Sequence, residues 1–175
     1  AEPGELADEE AEVTTAEENP PEETVEATPR RNAPAPTRGK QSNVISIDFA
    51  YLRSKGIIVP NAPRGHQIEE FRHVKQRVLN QRIDKSIRYP NTIMVTSSVP
   101  GEGKTHVATN LAISIALEHD MTVLLVDADF KRPGIPGRLG FKAKKGLIDV
   151  LYDPSIDVSE VLLKTDIESL SVIPA

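Results

Sequence analysis

Cysteine and tryptophan are both absent from this chain, and aromatic residues of any kind make up only 4% of it. Without cysteine there is no disulfide framework and no thiolate metal site, which fits a cytosolic protein. The four histidines, His66, His73, His106 and His119, lack the spacing of a ligand set and read as surface or capping residues. No apolar run approaches the roughly 20 residues that a membrane helix needs, and the acidic opening is unlike a secretory signal. Direct membrane insertion is therefore not expected, and membrane association has to come through a partner. The first residue is alanine rather than methionine, as expected of a fragment or a processed product. Within 175 residues there is room for one globular domain with extensions.

Basic residues are missing from one end. Residues 1–29 hold eleven acidic side chains and no basic one, so the net charge of −5 hides 15 acidic against 21 basic groups, or +6, from Arg30 onward. That mildly basic remainder suits a nucleotide or an acidic partner and is too weak a signal for nucleic acid, so no nucleic-acid partner is expected. Residues 1–43 contain six prolines and no aromatic residue. Such a segment cannot bury enough apolar surface to offset the entropy of ordering it, and it reads as a disordered, acidic, proline-rich tail, with an acidic docking arm as the alternative.

What the chain does have is Val95–Thr109, VTSSVPGEGKTHVAT. A β-branched apolar run breaks at Pro100-Gly101-Glu102-Gly103 and restarts at Lys104-Thr105 in a helix-compatible pattern, the punctuation of a phosphate-binding loop. The backbone must turn so that several N–H groups point inward while a helix begins with its positive dipole end facing the same spot. Gly101 and Gly103 permit that turn and a close approach of phosphate. Lys104 can reach the β/γ-phosphates of ATP, and the Thr105 hydroxyl is placed to ligate Mg²⁺. The strict consensus G-x-x-x-x-G-K-[ST] fails at one position, where Ser98 replaces its first glycine.

The flanking pattern predicts the scaffold. Residues 44–91 read as a helical extension: Ile47, Tyr51 and Leu52 at helical spacing, capped by Ser46 or Asp48 and stopped at Gly56, then an extended IIVP. A longer amphipathic helix covers 67–81, with Ile68, Phe71, Val74 or Lys75, Val78 and Leu79 on one stripe and Glu69, Arg72 and Lys75 on the other. Residues 92–175 read as the core. TIMVTS is expected as a strand buried on both faces, followed by the loop, a helix over 104–118, and a second buried strand over 121–126 ending in Asp127-Ala128-Asp129. Strand, loop, helix and strand imply a right-handed β-α-β crossover with the ligand crevice at the carboxyl ends of the strands, bringing Thr105 and Asp127 together. FKRPGIPGRL reads as a Pro/Gly-broken loop carrying Lys131, Arg132 and Arg138. Short helices are expected from Gly146 and over 159–164, and a third strand over 170–173. Tyr51, Tyr89 and Tyr152 are isolated and read as packing residues.

SSVPGEGKTHVATNLAISIA, TVLLVDADFKRP and GLIDVL together resemble the bacterial tyrosine kinases of exopolysaccharide and capsule synthesis, a branch of the P-loop NTPases. In that family the loop resembles S-x-x-P-G-E-G-K-[ST], so the Ser98 departure belongs to the family, and VDAD matches its second acidic motif, Walker A′. Chromosome-partitioning and division-site ATPases carry a signature lysine where this chain has Val99, which makes them the weaker match. Upstream, IEEFRHVKQRVL resembles the helix E-x-x-R-x-x-R through which these kinases assemble into rings, with Glu69 and Arg72 matching and Lys75 replacing the second arginine. SIDFAYLRSKGIIVP and LSVIPA look most like the exosortase-associated tyrosine autokinase subgroup. The likeness covers roughly residues 44–175. A third acidic motif, Walker B, and a C-terminal tyrosine cluster are not found in the sequence.

The resemblance implies a three-layer α/β P-loop fold with a mostly parallel sheet, an ATP- and Mg²⁺-dependent autophosphorylating tyrosine kinase regulating exopolysaccharide export, and a cytoplasmic location peripheral to the inner membrane. Implied partners are a homo-oligomeric ring, with Glu69, Arg72 and Lys75 at its interface, and a membrane chain-length determinant or activator. Ser98, Pro100, Gly101, Glu102, Gly103, Lys104, Thr105 and His106 would hold the ATP phosphates, with Arg132 steadying loop or phosphates. Thr105 and Asp127 would hold the metal. Lys104, Asp127 and Asp129 would be the catalytic set, Asp127 contacting the metal shell or orienting the tyrosine hydroxyl. The rival readings are a partitioning-type ATPase switch and a non-catalytic ATP-binding module of a chain-length determinant.

Overall fold

The structure is a computed structural model, and it describes residues 43–63, 65–81 and 88–175. The acidic tail expected over 1–43 falls outside these residues except for its last position. Among the described residues the order is β1 (Asn43–Ile45), α1 (Phe49–Ser54), α2 (His66–Gln81), α3 (Lys104–Ala116), β2 (Val123–Val126), α4 (Ile135–Leu139), α5 (Leu147–Tyr152), α6 (Val158–Val161), β3 (Leu163–Thr165) and β4 (Leu170–Ile173).

Four strands form one mixed sheet in the order β1-β3-β4-β2, with β1–β3 and β2–β4 parallel and β3–β4 antiparallel. The buried Thr165 hydroxyl closes the β3–β4 turn, its one proton shared between the Ile167 and Leu170 carbonyls, each 3.0 Å away. Asp166 in the same turn accepts from Ser46 Oγ (2.9 Å) and Ile47 N–H (2.8 Å), which ties the end of β1 to the hairpin.

Helix α3 is the hub. Every residue from Thr109 to Ala116 is buried, because the helix packs against α2, α4, β2 and β4. Ala112, Ile113 and Ala116 share a core with Leu125 of β2, Leu170 and Val172 of β4, and Ile135 and Leu139 of α4. The N-terminal extension closes that same core through Ile47, Leu52 and Ile57–Val59. Helix α1 forms where the spacing predicts, and of the two candidate caps it uses Asp48, whose Oδ1 accepts from Ala50 and Tyr51 N–H. The extension is pinned by Asn110, fully buried in α3: its Oδ1 accepts from Ile58 N–H at 2.8 Å and its amide donates to the His106 carbonyl at 3.0 Å.

Several sequence expectations need correction, the full burial of the strand over 121–126 among them, since in β2 Leu124 and Val126 are 48% and 39% exposed. TIMVTS is not a strand: residues 92–97 carry no strand pairing, Met94 is 84% exposed and Ile93 44%. A strand is stable only with a ladder partner, and the sheet neighbour of β2 is β4. A groove of about 760 Å³ is lined jointly by Ile93 and Val95, by Val123 and Leu125 of β2, and by Leu111 and Ile115 of α3. The crossover into β2 expected from TIMVTS is therefore replaced by one from β2 through α4–α6 and β3 into its parallel neighbour β4. Secondly, the Pro/Gly-broken loop contains α4, which places Pro136 in its first turn, where the missing N–H costs nothing. The helical piece expected over 159–164 ends at Val161 and gives way to β3. Thirdly, Tyr89 and Tyr152 are 64% and 84% exposed, so of the three tyrosines only Tyr51 packs.

Candidate nucleotide-binding site

The phosphate loop is braced from within. Ser97 Oγ donates to the Val99 carbonyl and Glu102 Oε2 accepts from Val99 N–H, both at 3.1 Å, so Glu102 closes the loop on itself. Gly101 and Gly103 adopt φ of +92° and +98°, a region costly for any residue with a Cβ. Beyond their chain neighbours, no atom lies within 4 Å of where a Cβ would project from either glycine, so there is open space beside the loop at both positions. Gly103 precedes α3 without a side-chain cap, so the first-turn amides of a 13-residue helix remain available to an anion. Ser98 and Pro100 lie exposed on the loop.

The end of β2 supplies the opposite wall. Lys104 Nζ lies 2.7 Å from Asp129 Oδ2. The hydrogen bond from Lys104, helped by the Arg132 backbone N–H and by the charges of Lys104 and Arg132, holds the Asp129 carboxyl below its ordinary pKa. Asp127 is only 4% exposed and spends its oxygens on backbone donors. Its Oδ1 accepts from Asp129 N–H (3.2 Å), and its Oδ2 accepts from Gly134 and Ile135 N–H (2.9 Å each), capping the first turn of α4. Gly134 in turn lies against Thr105: a Cβ on it would sit 3.1 Å from Thr105 Cγ2 and 3.2 Å from Oγ1. Asp127, Gly134 and Thr105 thus meet at one corner, beside the Lys104–Asp129 pair. The Arg132 side chain is exposed at the rim.

Among the described residues no group of three or more His, Asp or Glu side chains could cage a metal. Mg²⁺ does not need one, since it keeps several waters and takes one or two protein oxygens beside substrate phosphates. The Thr105 hydroxyl and the Asp127 carboxylate fit that demand, and the open glycine loop fits a polyphosphate.

His106 is half-buried and lies beside Gly56 of the extension. Its ring packs edge-on against Phe71 of α2 (centroids 6.5 Å apart), and its Nε2 lies 3.2 Å from Asn110 Nδ2. An amide nitrogen can only donate, so as a hydrogen bond this contact requires the neutral ring with its proton on Nδ1. Burial, and then the Arg138 charge, push the His106 pKa below its ordinary value. Of the expected interface residues, Glu69 and Arg72 pair on α2 at 3.4 Å with exposed side chains. Lys75 is instead drawn inward, pairing with Glu118 and lying 3.4 Å from the Ser114 carbonyl of α3. Gly134 and Asn110 escaped the sequence reading. The polar break of Asn110 in an otherwise apolar stripe was the signal for one, and the Pro133-Gly134 pair the signal for the other.

No family model matches the chain. Among curated proteins it is 30% identical over 101 residues to the tyrosine-protein kinase YwqD of Bacillus subtilis (strain 168), a match spanning 58% of this chain and 41% of that protein. The chain is thus similar in sequence to a protein named as a bacterial tyrosine-protein kinase. It is also 33% identical over 94 residues to the succinoglycan biosynthesis transport protein ExoP of Rhizobium meliloti (strain 1021), across 54% of this chain and 12% of that protein. The chain thus spans about two fifths and about an eighth of these relatives' lengths. The crystal structure of the chimerical protein CapA2B2 superposes with a TM-score of 0.53 at 24% identity, covering 75% of this chain and 54% of the other. The two share a mixed α/β fold of the P-loop type, which in this chain holds a four-stranded sheet with two of its three pairings parallel.

Proposed function

We propose that this chain carries the nucleotide site of an ATP- and Mg²⁺-dependent protein-tyrosine kinase that phosphorylates itself and regulates exopolysaccharide production. The observation that carries the reading is the meeting of Lys104 and Thr105 with Asp129 and Asp127 at the end of β2, beside an open glycine loop. Likeness to a tyrosine-protein kinase supports the activity, and likeness to a polysaccharide transport protein supports the pathway.

Phosphoryl transfer asks mainly for positioning and charge neutralisation. Amides from Gly101 to His106 would receive the β- and γ-phosphate oxygens. Lys104 exchanges its bond to Asp129 for the phosphates, which frees the Asp129 carboxylate to accept a hydrogen bond from an incoming hydroxyl. Thr105 and Asp127 would hold Mg²⁺, which when bound supplies positive charge against the phosphates. Asp127 also holds the start of α4 through Gly134 and Ile135 N–H. Arg132 reaches the rim as a further cation.

Self-assembly through the exposed Glu69–Arg72 face of α2 belongs to the same proposal, as does recruitment to the inner membrane by a chain-length determinant or activator protein. Among the described residues no helix is long and apolar enough to cross a membrane. The test is to incubate the protein with ATP and Mg²⁺ and to follow phosphotyrosine and free phosphate together. Phosphotyrosine is expected. Free phosphate without phosphotyrosine would instead make it an ATPase switch, and nucleotide binding with neither product a regulatory module.

A further inference from the structure

If the chain is a tyrosine kinase, its own tyrosines are candidate acceptors, and they are not equivalent. Tyr51 is committed to packing: its hydroxyl donates to the Gly137 carbonyl at 2.9 Å, and its ring sits 3.0 Å from where a Cβ on Gly140 would lie. Tyr89 is 64% exposed, but the Arg88 guanidinium lies over one face of its ring, 5.3 Å from the centroid, and it is followed directly by Pro90. Tyr152 differs from both. It is 84% exposed, and among the described residues its hydroxyl has no hydrogen-bond partner. It is the last residue of α5, and the chain turns extended at Asp153 (φ −119°, ψ 101°), so presenting it requires at most the loss of a final helical turn.

The neighbours of Tyr152 also offer a docking surface. Ile148 and Leu151 on the same helix are 39% and 64% exposed, which with Tyr152 places three apolar side chains at i, i+3 and i+4 on one uncovered face. The opposite end of α5 is held fast. Leu147 N–H donates to the Pro174 carbonyl at 2.7 Å, and Gly146 lies so close to Ala175 that a Cβ there would come within 2.0 Å of its carbonyl oxygen. Helix α5 therefore holds Tyr152 at its free end, away from the tether at the end of β4, and no hydrogen bond or ion pair among the described residues joins it to its own phosphate loop.

Building on the kinase reading, we propose that Tyr152 is a phosphorylation site, modified by a second copy of this chain. In the step, Tyr152 Oη attacks the γ-phosphorus of ATP held by the other copy. The Oη–P bond forms, the bond from the γ-phosphorus to the β,γ-bridging oxygen breaks, and ADP leaves with that electron pair. The phenolic proton passes to a carboxylate of the other copy's site or to solvent.

The test uses the protein at its natural length in two differently tagged versions. The donor carries Tyr152→Phe, and the acceptor carries Lys104→Met and keeps Tyr152. After mixing with ATP and Mg²⁺, the two are separated and the acceptor's phosphopeptides are mapped by mass spectrometry. Phosphate on Tyr152 of the acceptor is expected, and it should be lost when the acceptor also carries Tyr152→Phe. Phosphate on other tyrosines of either version but never on Tyr152 would overturn the site while leaving the kinase reading standing. Phosphate on Tyr152 of the wild type but never on the Lys104→Met acceptor would overturn transfer by a second copy. No phosphotyrosine in donor, acceptor or wild type would overturn the inference and the kinase reading together.

Discussion

Replacing Gly134 by alanine tests whether the corner shared by Asp127, Gly134 and Thr105 is the metal-binding end of the site. Gly134 has φ −126°, which any residue adopts, and its N–H bond to Asp127 survives in alanine. The perturbation is therefore purely steric: the new methyl would stand 3.1 Å from Thr105 Cγ2 and 3.2 Å from Oγ1, a few tenths of an ångström too close. Thr105 is only partly buried and can relieve the contact by changing rotamer, so the stability cost falls near the lower end of overpacking, about 1 kcal/mol. Relief moves the hydroxyl, however, and Mg²⁺ tolerates little displacement of a ligand from about 2.1 Å. Loss of that ligand should weaken Mg²⁺-dependent ATP binding about tenfold, or about 1.4 kcal/mol. Calorimetric titration with ATP in the presence and absence of Mg²⁺ separates the two parts. Weaker binding only in the presence of Mg²⁺ is expected, and unchanged affinity with Mg²⁺ would refute the assignment of this corner to the metal.

Two other substitutions probe the scaffold. Gly146→Ala drives a methyl to within 2.0 Å of the Ala175 carbonyl oxygen and 2.6 Å of that of Pro174, both backbone atoms that cannot rotate away. The expected loss is about 3 kcal/mol, read as a lower urea midpoint; a loss under about 1 kcal/mol would contradict the packing of α5 on the end of β4. His106 titrates in the unfolded chain near its ordinary 6.5 and lower in the folded protein, so unfolding takes up a proton between the two values. Its contribution to stability is complete above about pH 6.5 and is lost as pH falls toward the folded value. His106→Gln should flatten the fall of the urea midpoint between about pH 7 and pH 5. An unchanged slope would mean that the contact with Asn110 does not depend on a neutral ring.

How far the sequence disclosed the molecule depended on how local each signal was. The phosphate loop, α3, α5 and β4 rest on punctuation that acts within a few residues: the glycines at 101 and 103, the start at Gly146, the apolar run at 170–173. Strands β1 and β3 are three residues each and exist because they pair with one another across the chain, so no local pattern marks them. TIMVTS shows the converse, since its strong β propensity goes unused where nothing pairs with it. Within the site, the residue types at Lys104, Thr105, Asp127 and Asp129 were legible, and their meeting follows from the strand end. That Asp127 also caps α4, and that Lys75 turns inward to Glu118, could not be read, because both depend on how distant segments pack.

The most direct test of the central claim is transfer of label from γ-radiolabelled ATP, in the presence of Mg²⁺, to tyrosine in the natural-length protein, comparing wild type with Lys104→Met. Removing the cation that binds Asp129 and would meet the phosphates should lower phosphotyrosine by at least about a hundredfold. Equal labelling of the two proteins, or no label on tyrosine in the wild type, would contradict it.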